Sequence, residues 1–300
     1  MTTKTDTELL QLLKPITIHD KPLFDKYFST FPSKTSELTF ANIFCWSEIK
    51  HTLFCEYNNH LFLSFRGEDG IWGIFPPIGP NPLALMFQNL FGVEDYYWAR
   101  INEDIANKIN GPHKPTLDMT TSDYVYKIED LVNLAGSDYH GKRNFVKRFE
   151  KLGPKLRPLT FADAPDCIHV QKQWLETQKE NVSAIEESTA FIKAATYKQT
   201  FPMHSVGVFI KNNLVAFAIG EPLNKTTFVE HYEKALPHYP GAYQFLLHKF
   251  AKSIPKQYTF LNREEDLGIP GLRKAKKSWH PAFIQKKYIL KLHKNVKDYL

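Results

Sequence analysis

The chain carries one order of elements twice, and this repeat limits its fold more tightly than any other feature of the sequence. In the C-terminal half "KLRPLTF", residues 155–161, reads as a strand, and Pro165 opens a helix through "DCIHVQKQWLETQ". A second helix reaches about Phe201. Ser183 and Glu186 stand at its start with the spacing of a capping box, in which each side chain satisfies the other's free backbone donor. Three strands follow, "SVGVFIKN", "LVAFAIGEPL" and "TTFVEHYEKA", turned at Asn212-Asn213 and Asn224-Lys225. Tyr243, Leu246, Leu247, Phe250 and Ile254 recur at helical spacing, so a helix begins near Gly241. "QYTFLN" is then a strand, "GLRKAKKSW" a helix and "AFIQKKYILKLH" a final strand. The N-terminal half runs through the same order. "ITI" is a strand, "PLFDKYFSTF" and "TFANIFCWSEI" are helices, and "TLFCEYN", "HLFLSFRG" and "GIWGIFPPI" are strands. Helix "PLALMFQNLF", strand "DYYWAR", helix "NEDIANKIN" and strand "DYVYKI" complete it.

The sequence β, α, α, β, β, β, α, β, α, β is that of an acyltransferase fold, an α/β (α+β) arrangement with a mixed sheet flanked by helices. A chain of 300 residues with 43% hydrophobic content can bury two cores of ordinary domain size. The expected division is 1–135, a basic linker helix at 136–155, and 156–300. No apolar run approaches the ~20 residues that cross a bilayer, and "MTTKTDTELLQLLKP" lacks the blocks of a signal peptide. Cys45, Cys55 and Cys167 are odd in number and form no Cys-x-x-Cys pair, which argues against a disulfide framework and a structural zinc site. The expected setting is therefore a reducing, cytoplasmic one. Protease, nucleotide-loop and dinucleotide motifs are absent and the histidines lack ligand spacing, so no metal and no tightly bound cofactor is expected.

The net charge of +6 is mild, but the bases cluster. Between residues 141 and 157 stand Lys142, Arg143, Lys147, Arg148, Lys151, Lys155 and Arg157 against the single acid Glu150. Phe145, Phe149 and Leu152 are spaced as the apolar side of a helix whose other face is basic. Such a helix either holds phosphates or is a solvated linker. The second cluster is "NREEDLGIPGLRKAKKSWHP", residues 262–281: three consecutive acids, a Gly-Ile-Pro-Gly turn and a basic helix. Leu272, Ala275 and Trp279 are spaced as its apolar stripe, with Arg273, Lys276 and Lys277 pointing elsewhere. Acids before a helix and bases within it also suit the helix dipole, so a purely structural role stands beside a functional one.

"ANIFCWSEI", "FPPIG", "DYVYKIEDLVNLAGSDYHGKRNFVKRF" and the 262–281 stretch together resemble the bacterial tandem GNAT-like proteins classed with the C-terminal domain of phosphatidylglycerol lysyltransferase. The resemblance runs from about residue 41 to the end. It implies two tandem GNAT-like domains, related to the Fem-type aminoacyltransferases that move an amino acid from a charged tRNA to an amine or hydroxyl. It also implies that "YHGKRNFVKRF" matches an arginine-rich helix joining the two domains, with Lys142, Arg143, Lys147 and Arg148 on phosphate or nucleic acid. In acetyl-CoA-using GNAT enzymes a Gly-rich turn before the central helix binds pyrophosphate. Here "ALPHYPGAYQ" puts Pro237 and Pro240 at key places, and proline has no N–H to offer. Gly241, Ala242 and Tyr243 still open a helix that suits a phosphate of another donor, or merely begin it.

Acyl transfer needs a base, donors for the oxyanion and a site between parted strands. Strict alternation in "TTFVEHYEKA" places Phe228, Glu230 and Tyr232 on one face and Val229, His231 and Glu233 on the other, so Glu230 or His231 is the candidate base. Glu264 and Glu265 are further catalytic candidates at the cleft rim. Asn262, Arg263, Arg273, Lys276 and Lys277 are donor-binding candidates, and Tyr243 is a candidate proton donor or a core aromatic. The expected function is transfer of an aminoacyl or acyl group, from aminoacyl-tRNA or acyl-CoA, to a small amine, peptide or lipid head group. In that reading the C-terminal domain is active and the N-terminal one degenerate and structural. The alternative is a GNAT-like pair without catalysis that recognises RNA, a peptide or a lipid head group through its basic helix.

Overall fold

The computed structural model describes residues 8–67, 70–88, 96–110, 114–178, 181–197, 199–201 and 203–291. It divides into two compact units, 1–123 with 285–300, and 124–284. The first comprises α1 (Glu8–Leu12), β1 (Lys14–Pro15), α2 (Lys21–Thr30), α3 (Phe40–Trp46), β2 (Leu53–Tyr57), β3 (His60–Arg66), β4 (Trp72–Ile74), α4 (Pro82–Met86), β5 (Tyr96–Asn102) and α5 (Glu103–Ala106). Strand β6 (Thr116–Lys127) begins in the first unit, and its last four residues belong to the second. The second continues with α6 (Ile128–Asn133), α7 (His140–Glu150), β7 (Lys155–Arg157), α8 (Ala164–Glu176), α9 (Val182–Thr196), β8 (His204–Ile210), β9 (Asn213–Pro222) and β10 (Thr227–Ala235). It closes with α10 (Ala242–Ser253), β11 (Phe260–Asn262), α11 (Pro270–Lys277) and the start of β12 (Phe283–Lys291).

In the first unit β1, β2, β3 and β4 pair antiparallel in turn, β4 pairs β5 in parallel, and residues 287–291 of β12 lie antiparallel on β5. Trp98, Phe62, Ile101, Met86 and Leu290 are at the centre of its core. The second unit repeats the scheme: β7, β8, β9 and β10 are antiparallel, β10 and β11 parallel, and residues 125–127 of β6 lie antiparallel on β11. Helix α9 covers one face of this sheet, where Phe191 stacks on Phe217 at 5.0 Å and meets Tyr232 edge-on at 5.2 Å. Fully burying such a side chain contributes about 1.5–3 kcal/mol. The other face holds α10, with Phe228 and Phe250 6.3 Å apart.

The strand that ends each half of the sequence is thus paired in the sheet of the other unit. This is why the chain divides at 123/124 and 284/285, and why the basic helix α7 lies inside the second unit instead of joining two domains at 136–155. Several local expectations shift as well. "ITI" is no strand, since β1 precedes it and Ile18–Asp20 form a 3-10 turn. The helix from Pro82 stops at Met86; residues 89–91, Asp95, Leu292 and His293 lie outside the described residues. Helix α9 is capped not by Ser183 but by Asn181, whose side-chain oxygen accepts from Ala184 N–H at 3.2 Å and so fills the place the capping box would take. Helix α7 packs through Val146 and Phe149, the latter 4.9 Å from Phe245, and this phase leaves Phe145 and Leu152 exposed.

Candidate functional site

Strands β10 and β11 stay paired up to Val229 and Asn262. Beyond that rung the chain after β11 turns towards β6: Arg263 N–H donates to Tyr124 O, and Tyr124 N–H to Glu264 O, both at 3.0 Å. The two parallel strands therefore part, and the acids and bases of the 262–281 stretch meet those of β10 in the opening. A β-bulge sits at the same point. Glu230 is opposite Gly220, Tyr232 is opposite Ile219, and His231 is the extra residue. The bulge breaks the alternation expected for this strand, and Glu230 and Glu233 reach the same guanidinium. Strand β9 approaches closely here because Gly220 has no side chain; a Cβ would stand 2.1 Å from Val229 O. Gly220→Ala should cost about 1–3 kcal/mol by overpacking. A thermal melt indistinguishable from wild type would contradict this.

Arg263 is nearly buried and donates from Nε to Glu230 Oε2 at 2.6 Å and from its terminal amine to Glu233 Oε2. Its ring neighbour is Tyr126, 5.7 Å away, and its carbonyl accepts from the Lys276 ammonium. Two acids thus share one guanidinium, and Glu230 Oε1 and Glu233 Oε1 are buried without a hydrogen-bond partner. Glu230 is only 5% exposed. Burial raises the Glu233 pKa; Arg263 works against this and the Glu230 charge adds to it, leaving the carboxyl at about 7. From α7, Lys142 reaches Ser278 Oγ at 2.6 Å and lies 4.5 Å over the Trp279 ring. Burial and then the Arg263 charge lower its pKa, while Glu233 opposes them. Tyr243 is pushed above the usual phenol range first by burial and then by Glu233, against hydrogen bonds from Ala235 N–H and the Trp174 indole.

Beside this group His231 is clamped between two carboxylates, with Nδ1 2.8 Å from Glu264 Oε1 and Nε2 3.0 Å from Glu221 Oε1. Burial alone would lower its pKa, but the hydrogen bonds and charges of Glu221 and Glu264 outweigh burial and raise it to about 10. His231 is therefore an imidazolium at neutral pH, a fixed positive charge and no base. Glu264 has its backbone in the left-handed region, φ 58°, held by the Asn262 side chain, which accepts from Glu264 N–H at 2.8 Å. Its carboxyl is raised to about 7 by burial, with His231 pulling it down and Glu265 pushing it up.

The remaining sequence candidates are placed as follows. Arg273 is committed to Asp266, with bonds of 2.7 and 3.0 Å, and Tyr124 and Gly268 N–H complete that fully buried carboxylate at 2.6 and 2.8 Å. This pins the turn into α11 and gives Arg273 a structural part there. Lys276, expected outside, is buried on the inner stripe of α11 with Trp279, and Ala275 is exposed. The hydroxyls of Tyr126 and Tyr139 cap the end of that helix, donating to Lys276 O at 2.8 Å and Trp279 O at 3.0 Å. Arg143 caps α6 through Leu134 O and Gly136 O. Gly241 takes φ 92° under Phe145 O, and Ala242 N–H is bonded to Tyr239 O at 3.1 Å. Lys147, Arg148 and Lys277 are exposed on the surface. The structure thus brings together Glu230, His231, Arg263, Glu264 and Lys276, and adds Lys142, which sequence reasoning had assigned to phosphate. Glu221 and Glu233 were not foreseen as site residues. A charged residue directly after the uninterrupted apolar run 214–220 was the available signal for Glu221. Among the described residues no three His, Cys, Asp or Glu side chains are gathered to hold a metal ion, and no helix is long and apolar enough to cross a membrane.

The chain is similar in structure to a conserved protein of unknown function from Bacteroides thetaiotaomicron, 28% identical with a TM-score of 0.83 over 93% of this chain and 99% of that one. L-PGS from Bacillus licheniformis shares the fold at 14% identity and a TM-score of 0.63, covering 92% of each chain. FemX shares it at 11% identity and a TM-score of 0.57, covering 96% of this chain and 99% of that one. An uncharacterised protein of Mycoplasmoides gallisepticum is 22% identical over 219 residues, 71% of this chain; the chain spans 66% of the length of that curated relative. The mixed sheets flanked by helices expected from the repeat are the fold that L-PGS and FemX share with this chain. Residues 28–291 match the family described as "Phosphatidylglycerol lysyltransferase, C-terminal", and with most of its length so matched the chain belongs to that family.

Proposed function

We propose that this chain transfers an aminoacyl or acyl group to an amine or hydroxyl, with the second unit as the working half. The observation that carries this reading is the pair of buried, unpartnered carboxylate oxygens of Glu230 and Glu233, just past the last rung of the parted strands. A buried acceptor that no protein donor reaches costs about 1–3 kcal/mol or more, and an incoming N–H or O–H would satisfy it. Glu233, with its pKa near 7, takes the proton of the acceptor as its nitrogen or oxygen attacks the donor carbonyl. The new bond to the carbonyl carbon forms, the bond to the leaving oxygen or sulfur breaks, and the proton passes to that leaving atom. Arg263 and the imidazolium of His231 supply fixed positive charge beside the developing oxyanion.

An aminoacyl-tRNA is favoured over an acyl-CoA as donor. Pro237 and Pro240 lack N–H groups and Ala242 N–H is already used, so the turn before α10 offers a pyrophosphate little. Membership of a lysyltransferase family and the shared fold of L-PGS and FemX support the same donor class. The test is filter retention of charged tRNA across a salt series, with acetyl-CoA as competitor and loss of the aminoacyl group as the second readout. Retention that weakens steeply with salt, resists acetyl-CoA and is followed by transfer to an added amine or hydroxyl is expected. Displacement by acetyl-CoA would move the donor to acyl-CoA, and absence of both retention and transfer would overturn the aminoacyl reading.

A further inference from the structure

We propose that the edge of the second unit formed by the end of α7 and by β7 docks on an anionic lipid surface. The inference does not rest on the transfer reading. Three large apolar side chains stand in solvent within twelve residues, Phe145 at 40%, Leu152 at 50% and Leu156 at 39% exposure. They are interleaved with Lys147, Arg148, Lys151 and Lys155, all exposed, and Arg148 lies 5.8 Å over the Phe145 ring. Glu150, the single acid of this run, is neutralised by Lys249 at 3.0 Å. The strand register extends the patch: Lys155 pairs Phe209, two residues before the exposed Lys211 in the β8–β9 turn. All three residues of β7 are exposed at the sheet edge.

Bases ringing exposed apolar groups have the chemistry of a peripheral membrane contact, in which the charges meet anionic head groups and the apolar tips enter the boundary below them. A phosphate backbone would engage the cations and gain nothing from the two leucines, which have no planar face for a base to stack on. That difference favours a bilayer over RNA. Register also fixes where the patch lies. Leu156, Val208, Ala216 and Ala235 form one row across β7, β8, β9 and β10. Three strand spacings of ~4.8 Å separate its ends, and Glu233 is two residues from Ala235 on the same strand. Docking would thus bring a lipid surface to the side of the sheet on which the strands part.

The experiment is co-sedimentation of the full chain with phosphatidylcholine vesicles, with vesicles that also contain phosphatidylserine, and with vesicles that contain phosphatidylglycerol instead. Binding to both anionic compositions, absent from phosphatidylcholine alone and weakened by salt, is expected. Lys147→Gln with Lys151→Gln should weaken it about fivefold per lysine. Leu152→Ser, which leaves the charge untouched, should weaken it at low salt as well. Both variants change exposed side chains, and an unaltered melt checks their fold. Three results would overturn the proposal: no vesicle binding, binding to phosphatidylglycerol alone, which would indicate a head-group site, or RNA retention through the same lysines with Leu152→Ser silent.

Discussion

Glu233→Gln should abolish most transfer, lowering the rate by about 10²–10⁴-fold, while making the protein more stable above neutral pH. Both effects follow from one pKa. In the wild type the carboxyl is held at about 7, chiefly by burial, so the base is present above that pH and lost below it. Transfer should therefore rise tenfold per pH unit towards 7 and then level, and the variant should lose this limb. For stability the sign is opposite. A carboxyl whose folded pKa is raised holds its proton more tightly in the folded state, so its contribution is full below the ordinary carboxylate range and is lost as pH rises through about 7. Glutamine mimics the protonated form and escapes that loss. Rate–pH profiles and melts at two pH values read the two effects separately; retained transfer would remove Glu233 from the chemistry, and an equal melt at high pH would mean the carboxylate is not penalised.

Arg263→Met should destabilise the second unit by about 3–5 kcal/mol, the loss typical when one partner of a buried ionic group is removed and the other is stranded. Here two carboxylates are stranded, Glu230 and Glu233, which already have one unpartnered oxygen each. The deficit should shrink as pH falls and the acids take up protons. Combining Arg263→Met with Glu233→Gln should cost less than the sum of the single changes, because the double variant has one fewer charge to leave uncompensated. Strict additivity in chemical melts would show that the guanidinium and Glu233 do not form the unit described above.

The repeat and the class of fold could be read from the chain because they depend on periodicity, which is local. The continuous apolar runs of β8 and β9, buried on both faces, and the spacing of Leu246, Leu247 and Phe250 in α10 report burial directly. What depended on three-dimensional pairing could not be read. A single bulge at Glu230–Tyr232 moves Glu233 onto the Arg263 side, and the strand's residues carry no mark of it. Lys276 looks like a solvated base by composition, yet its stem fills the inner stripe of α11 and its ammonium finds Arg263 O. The acids and bases of 262–281 split in the same way. Arg263 and Glu264 enter the opening, whereas Asp266 and Arg273, in the same stretch and alike in charge, hold the turn together.

The pairing of β12 on β5 and of β6 on β11 sets an order of maturation on the ribosome. Residues 124–284 are contiguous, so the second unit has every strand it needs once residue 284 is free of the exit tunnel. The first unit, although synthesised earlier, keeps the flank of β5 bare until residues 287–291 arrive. During that interval the nascent chain exposes an unpaired strand edge, the feature by which growing polypeptides recruit one another or a chaperone. The half made first is thus the half finished last, and slowing translation across the second unit would lengthen the period of risk for the first.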